Sequence, residues 1–327
     1  MPAMPAAPVP RLSLRSPDEP ARLVVGAMNF GKRTPEPEAR RIVERALERG
    51  VTAFDTANAY NGGESERILG RALGKRRGDC WVATKVGFGR TSGKPEGLSK
   101  ARVLGAIDES LERLAMEYVD VYYLHVPDSQ TPIEETLEAM ARVLESKKAR
   151  AWGVSNYASW QILEMFGIAD RAGMPRPVIA QQIYNVLIRQ LDVEYFKFTA
   201  RHPIHTTVYN PLAGGLLSGK HQKGAPARGS RFDDNALYQR RYWTDAFFAA
   251  VDELRGVAEA AGMSLVDLAY AWLARRPGVD SILVGPGSVA HLDAAIEARE
   301  RVLDAGTLAA IDGVHRALAG TDATYAR

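Results

Sequence analysis

The chain of 327 residues has a single cysteine, Cys80, and that scarcity excludes two kinds of protein at once. A lone thiol closes no disulfide framework, and one Cys beside six His gives no zinc-ligand spacing, so no metal centre is expected. The thiol precedes an apolar run and reads as a buried strand neighbour, a usage that fits a reducing, cytoplasmic compartment. Long hydrophobic runs are missing too. Residues 1–10 (MPAMPAAPVP) are apolar but broken by proline and carry no basic leader. They are expected to form neither a signal peptide nor a membrane span, and residues 1–20 are expected to be a flexible tail. Charge of one sign is not clustered: 42 Lys and Arg against 39 Asp and Glu leave +3, spread along the chain. Without a basic run interleaved with aromatics, no nucleic-acid partner is expected.

What is present is a rhythm. With 46% hydrophobic residues the chain can bury a large core, and short β-rich runs alternate with longer segments of helical period. The runs fall at 23–28, 51–56, 81–86, 119–125, 150–155, 178–183, 205–209 and 281–285. All but the last recur about every 30 residues, the length of one strand–helix unit. Helices are expected at 36–49, 99–116 and 132–146, the second opened by a capping serine and the third by Thr131-Pro132 with Glu134 and Glu135 in its first turn. Parallel strands in this rhythm predict a closed α/β barrel, a (β/α)8 TIM barrel, because each crossover helix must cover an outward strand face. A doubly wound open sheet is the competitor. It usually carries G-x-G-x-x-G after its first strand, whereas this chain has Gly26-Ala27-Met28-Asn29-Phe30-Gly31. Residues 211–242 break the rhythm. They are rich in Gly and Arg, lack strong periodicity, and read as a long lid loop after the seventh strand. Helices at 245–261 and 264–275 precede the eighth strand, and 307–319 reads as an added C-terminal helix. No linker interrupts the chain, so 21–327 is expected to form one barrel domain.

Catalytic groups in barrel enzymes project from the carboxyl ends of strands. Those ends here carry Asp55, Lys85, His125, Ser155 with Asn156, Gln181 and Tyr209, and Tyr60 follows five residues after Asp55. Singly, each has an ordinary explanation: a helix cap, a solvated strand end, a core histidine, a packing aromatic. Together they form a proton-transfer set. A phenol ordinarily titrates near pH 10, too high for easy exchange at neutral pH, and an adjacent Lys ammonium is expected to lower it. Asp55 would pair with Lys85, and His125 would hold a substrate oxygen.

The constellation resembles the aldo-keto reductase superfamily. Asp55-Thr56-Ala57-Asn58-Ala59-Tyr60 followed by Gly63-Glu64-Ser65-Glu66 looks like that family's D-x-A-x-x-Y…G-x-S-E signature, with Lys85 in Ala83-Thr84-Lys85 and His125 in Tyr123-Leu124-His125. Within it the chain is most similar to the aflatoxin-aldehyde and succinic-semialdehyde reductase branch, through His125-Val126-Pro127-Asp128, Ser155-Asn156-Tyr157-Ala158 and Arg241-Tyr242-Trp243. The resemblance implies reversible NADPH-dependent reduction of an aldehyde or ketone, with Tyr60 as general acid tuned by Lys85 and Asp55. It implies that Ser155, Asn156 and Gln181 hold the nicotinamide carboxamide and that Tyr209 stacks on its ring. Asn210, Pro211, Leu212 and Gly214 would line the pyrophosphate path, with Lys220 and Arg231 closing over it. Gly214 to Lys220 spells most of a P-loop, but His221 follows where Ser or Thr is required, so no ATP site is expected.

The chain departs from the branch after the eighth strand. Gly285-Pro286-Gly287, His291 and Ala295 stand where Gly-x-Ser, Gln and Asn are usual, which leaves NADH possible beside NADPH. The helix start at Ser288 still offers backbone N–H groups. For a small-molecule carbonyl substrate the expected lining is Met28, Asn29, Tyr60, His125, Trp152, Trp243 and Arg327, the last suited to a carboxylate. The expected assembly is a monomer or homodimer without membrane contact. A cofactor-binding sensor or regulatory subunit is the alternative reading. A barrel lyase or isomerase without nicotinamide fits Gln181 and Tyr209 less well.

Overall fold

Strand and helix periods in the sequence convert directly into layers. In a computed structural model of the chain, residues 12–91, 93–233, 235–321, 323 and 325 are described. Eight parallel strands pair in chain order and close into a barrel where the last meets the first. They are β1 (Arg22–Gly26), β2 (Ala53–Asp55), β3 (Trp81–Val86), β4 (Val119–Leu124), β5 (Ala149–Ser155), β6 (Ile179–Ile183), β7 (His205–Tyr209) and β8 (Ser281–Val284). The expected barrel is therefore present, with strand ends shifted by one or two residues.

Helices cover the strands. They are α1 (Glu36–Glu48), α2 (Glu64–Leu73), α3 (Lys100–Leu114), α4 (Ile133–Glu145), α5 (Ser159–Ala172), α6 (Tyr195–Arg201), α7 (Ala236–Tyr242), α8 (Asp245–Ala260), α9 (Leu265–Ala274), α10 (Val289–Glu300) and α11 (Ala305–Ala319). Helix α1 shows the principle: it buries Ala39, Ile42, Val43 and Ala46, one stripe at helical spacing, and turns its charges outward. Helix α3 starts where Ser99 Oγ accepts from the Arg102 amide at 3.4 Å and ends at Ala115 in a left-handed conformation. The lid contains two elements that the sequence did not announce, a 3-10 turn at Ala213–Ser218 and helix α7. Helix α7 has only seven residues, too few for a 3.6-residue period to stand out, and starts at an Asn235 cap. Among the described residues no single helix is long and apolar enough to cross a membrane.

Part of the segment expected to be loose is held to the barrel floor. The Arg15 amide donates to Asp280 Oδ1 at 2.7 Å, and its guanidinium donates to the Val279 and Arg276 carbonyls at 2.8 and 3.0 Å.

Inside the barrel, Val24, Trp81, Ala83, Val121, Tyr123, Ala151 and Ile179 form a core separate from the one between strands and helices. Gly153 lies between Tyr123 and Ile179 in register. A Cβ there would sit 2.5 Å from the Ile179 carbonyl oxygen, a backbone atom that cannot swing away. Gly153→Ala is thus expected to lower unfolding stability by about 1–3 kcal/mol, as overpacking does. Urea denaturation checks this, and an unchanged midpoint would mean that β5 and β6 are not packed so tightly.

Candidate active site

Successive residues of a strand face opposite sides, so one parity lines the barrel interior. Along β3 that parity reads Trp81, Ala83, Lys85; along β4 and just beyond it, Val121, Tyr123, His125; along β5, Ala151, Gly153, Ser155. Apolar residues fill the floor and polar ones collect at the mouth, where β2 contributes Asp55 in register with Ala83.

The centre of the mouth is an ion pair. Lys85 Nζ donates to Asp55 Oδ1 and, at 2.8 Å, to the Thr56 carbonyl. Gln181 Nε2 donates to the other Asp55 oxygen at 3.0 Å. Both charges are removed from water, with Lys85 0% and Asp55 1% exposed. Burial pushes the Asp55 carboxyl up and the Lys85 ammonium down, and each partner's charge resists the other's neutralisation.

Tyr60 and His125 meet above this pair. Lys85 Nζ lies 5.2 Å from the Tyr60 ring centre, and the Tyr60 and His125 rings stand edge-on at 5.7 Å and 81°. The turn carrying Tyr60 is fixed by Asn61, whose left-handed backbone (φ 53°) lets its amide nitrogen donate to the Met28 and Phe30 carbonyls at 3.0 and 2.7 Å. The Gly-x-Ser-Glu segment is scaffold. Ser65 Oγ lies 2.8 Å from Thr56 Oγ1 and donates to the Ala27 carbonyl at 2.7 Å, while buried Glu66 accepts from Thr84 and Arg113.

Protonation differs from the sequence expectation in one respect. The Tyr60 phenol is not drawn down by Lys85. Burial and then Asp55 push it well above its ordinary value of 10.0, and Arg231 is the cation that opposes them. The Lys85 charge is engaged by Asp55 instead. Burial, then Lys85, holds His125 well below the usual imidazole range, so it is neutral. Its Nδ1 is buried without a hydrogen-bond partner among the described residues.

Two residues that sequence reasoning missed shape this mouth. The Phe88 ring lies against His125 at 5.0 Å and is half exposed. Glu96 organises the loop beneath it, accepting from the Gly87 and Gly89 amides at 2.8 and 3.1 Å, from Arg102 Nε at 2.8 Å and from Asn58 Nδ2 at 2.6 Å. It thus ties the Tyr60 loop to the Phe88 loop. No local pattern marks such a residue, because its partners come from three segments.

The residues expected around a cofactor gather on the opposite side. Asn156 adopts φ 66°, donates to the His125 carbonyl at 2.9 Å and to Ser155 Oγ at 3.1 Å, and accepts from Tyr209 OH at 2.6 Å. After β7 the chain turns through left-handed Asn210, Ala213, Gly214 and Gly215, with Pro211 buried and Leu212 half-buried. The Asn210 side chain is taken by the lid: it accepts from Tyr238 OH at 3.3 Å and donates to Tyr242 OH at 3.2 Å. Arg231 lies with its guanidinium 5.6 Å from the Tyr238 ring, and its charge is felt at Tyr60 and Arg33. Lys220 is exposed. Past β8, Cβ atoms on Gly285 and Gly287 would come no closer than 3.6 Å to Arg231 and 3.4 Å to His291. An open, glycine-lined path beside Arg231 fits an extended, phosphate-bearing cofactor.

Of the expected substrate lining, Met28 and Asn29 lie at the mouth, Asn29 buried with its Oδ1 unpartnered among the described residues. Trp152 does not. It has the outward parity of β5, is buried between strands and helices, and donates to the Pro175 carbonyl at 2.9 Å. Trp243 packs within the lid against His221, Phe232 and Phe248. Arg327 lies outside the described residues.

A barrel with these groups at its mouth is built as a barrel oxidoreductase. The family model "Aldo/keto reductase family" matches residues 22–316, and the chain belongs to that family of NAD(P)H-dependent oxidoreductases. It is 37% identical over 264 residues to a "Probable voltage-gated potassium channel subunit beta" of Arabidopsis thaliana, covering 79% of this chain and 80% of that one. It is 34% identical over 302 residues to "Aflatoxin B1 aldehyde reductase member 2" of Homo sapiens, covering 88% and 84%. With human "Aldo-keto reductase family 7 member A3" it shares 33% over 298 residues, covering 85% and 88%. The two human relatives agree with the branch that the motifs indicate.

Burial lowers the pKa of His205, His221 and His315 as well as His125. The unfolded chain binds these protons near about pH 6.5 while the folded chain does not, so stability rises with pH and is lost on acidification below that value. The melting temperature is expected to fall between about pH 7 and pH 5, and a flat profile would contradict the neutral imidazoles.

Proposed function

We propose that the protein reduces an aldehyde or ketone to its alcohol with a nicotinamide dinucleotide, and that 21–327 acts as one domain. The observation that carries this reading is the meeting of the Tyr60 and His125 rings, 5.7 Å apart, above a buried Lys85–Asp55 pair. A carbonyl oxygen received between them takes a hydrogen bond from His125 and the proton from Tyr60. The cofactor supplies the hydride when bound. Tyr60 gives its proton to the carbonyl oxygen in reduction, and oxidation of the alcohol needs the same group as a base.

Ser155, Asn156 and Gln181 hold the carboxamide in this reading, and Tyr209 stacks on the ring. Because Asn156 and Gln181 already donate to His125 and Asp55, cofactor orientation and acid geometry are set by the same amides. Leu212 and Gly214 line the pyrophosphate path, and Arg231 with Lys220 attracts the phosphates of either nicotinamide cofactor. Met28, Asn29 and Phe88 border the substrate.

A second reading, a cofactor-binding regulatory subunit, is supported by the similarity to proteins named potassium channel subunit beta. The test is oxidation of NADH and NADPH with simple aldehydes, ketones and dicarbonyls. Tyr60→Phe is expected to lower kcat by about 100-fold or more while cofactor binding persists. Full activity in that variant would remove Tyr60 from the acid role, and binding without turnover in the wild type would favour the regulatory reading.

A further inference from the structure

In parallel barrels a phosphate is frequently received by the loops after the seventh and eighth strands and by a nearby helix start. Here that helix start is α10, beside the Gly285–Gly287 path and Arg231. Two of its first amides, and the Gly287 amide before them, are already claimed. The Val289 N–H donates to Glu38 Oε1 at 3.0 Å, the Gly287 N–H to His291 Nδ1 at 3.3 Å, and the His291 N–H to Ser288 Oγ at 3.3 Å. The notable claimant is Glu38, which comes from a different helix and brings a full negative charge.

Glu38 cannot easily leave. It lies in the first turn of α1, and α1 is fastened to α10 by Arg45 and Arg49, which both donate to Asp293 at 2.9 Å. Its other oxygen pairs with Arg41, an exposed residue of the same helix. The Val289 amide and Arg41 hold the Glu38 carboxyl below its ordinary range, so it is ionised at neutral pH.

A 2′-phosphate on the adenosine ribose carries about −1.5 to −2 charge near pH 7 and competes for the Val289 amide that Glu38 occupies. A free ribose 2′-hydroxyl is neutral and can donate to a carboxylate, the pairing by which acidic residues recognise NAD in dinucleotide folds. We propose that Glu38 is a specificity-determining residue that makes this enzyme prefer NADH over NADPH, by placing a carboxylate at the α10 end of the cofactor path. This rests on the nicotinamide reading above and reverses the cofactor preference that the family resemblance implies. The residues at 287, 291 and 295 agree with it: Gly287 and Ala295 offer no polar side chain, and the His291 ring is turned onto its own backbone loop.

The test is the dissociation constant of NADH and of NADPH, by tryptophan fluorescence quenching, in the wild type and in Glu38→Gln. The amide oxygen of the variant can still accept from Val289, so α10 keeps its cap and circular dichroism should be unchanged. Wild type is expected to bind NADH about tenfold or more tighter, and Glu38→Gln to tighten NADPH by about tenfold while NADH, which loses a charged acceptor for its 2′-hydroxyl, does not tighten. Arg41→Gln, which strips the counter-charge from Glu38, should widen the wild-type preference, and added salt should narrow it. Tighter NADPH binding by the wild type, or equal shifts for both cofactors in Glu38→Gln, would overturn the proposal and leave the nicotinamide reading standing. Absence of binding by either dinucleotide would overturn both.

Discussion

The buried Lys85–Asp55 pair is the constraint around which the site is arranged. Taking two charges out of water is tolerated only when their geometry is good and their remaining hydrogen-bonding capacity is met. Here three strands and one backbone carbonyl meet that condition: β2 and β3 bring the charges, β6 brings Gln181, and Thr56 offers its oxygen. The pair's demands fix the strand ends on which everything else at the mouth depends. Losing one partner of such a pair generally costs about 3–5 kcal/mol, so fold and site share this interaction.

The pair also governs protonation around it. Asp55 raises the phenol of Tyr60, and Lys85 lowers the imidazole of His125, each adding to the effect of burial. Both groups above the pair therefore stand neutral at working pH, one able to release a proton and the other to hold an oxygen.

A different physics holds the cofactor side. The lid rests on an aromatic cluster of His221, Phe232, Tyr238, Tyr242 and Trp243. It reaches the barrel through hydroxyl bonds to Asn210. It is also built into the main core, where Leu216, Leu217, Phe232 and Tyr242 are buried, and Arg33 and Arg255 donate to its Ser230 and Gly219 carbonyls at 3.4 and 3.3 Å.

Much of this was legible in the sequence because strand parity and strand ends are local properties. Asp55, Lys85, His125, Ser155, Gln181 and Tyr209 all fall at ends that a two-residue period and a 30-residue rhythm locate. Trp152 shows the limit: a shift of one residue in parity sends a side chain to the other face, and its indole lies among the helices. The direction of the Tyr60 shift is not legible in sequence, because the presence of Lys85 at a strand end does not say that its charge is committed to Asp55. Glu96 and Glu38 were invisible because their roles consist of partners on other elements, Asn58 and Arg102 for one, Val289 for the other.

The most direct test of the central claim is the titration of Tyr60 itself, followed by NMR of ring-labelled tyrosine and assigned with Tyr60→Phe. The account predicts a phenol that stays protonated past its ordinary value of 10.0 in the wild type and titrates lower in Asp55→Asn, where the raising charge is gone. A Tyr60 that titrates below that value in the wild type, or one that Asp55→Asn leaves unmoved, would contradict the account.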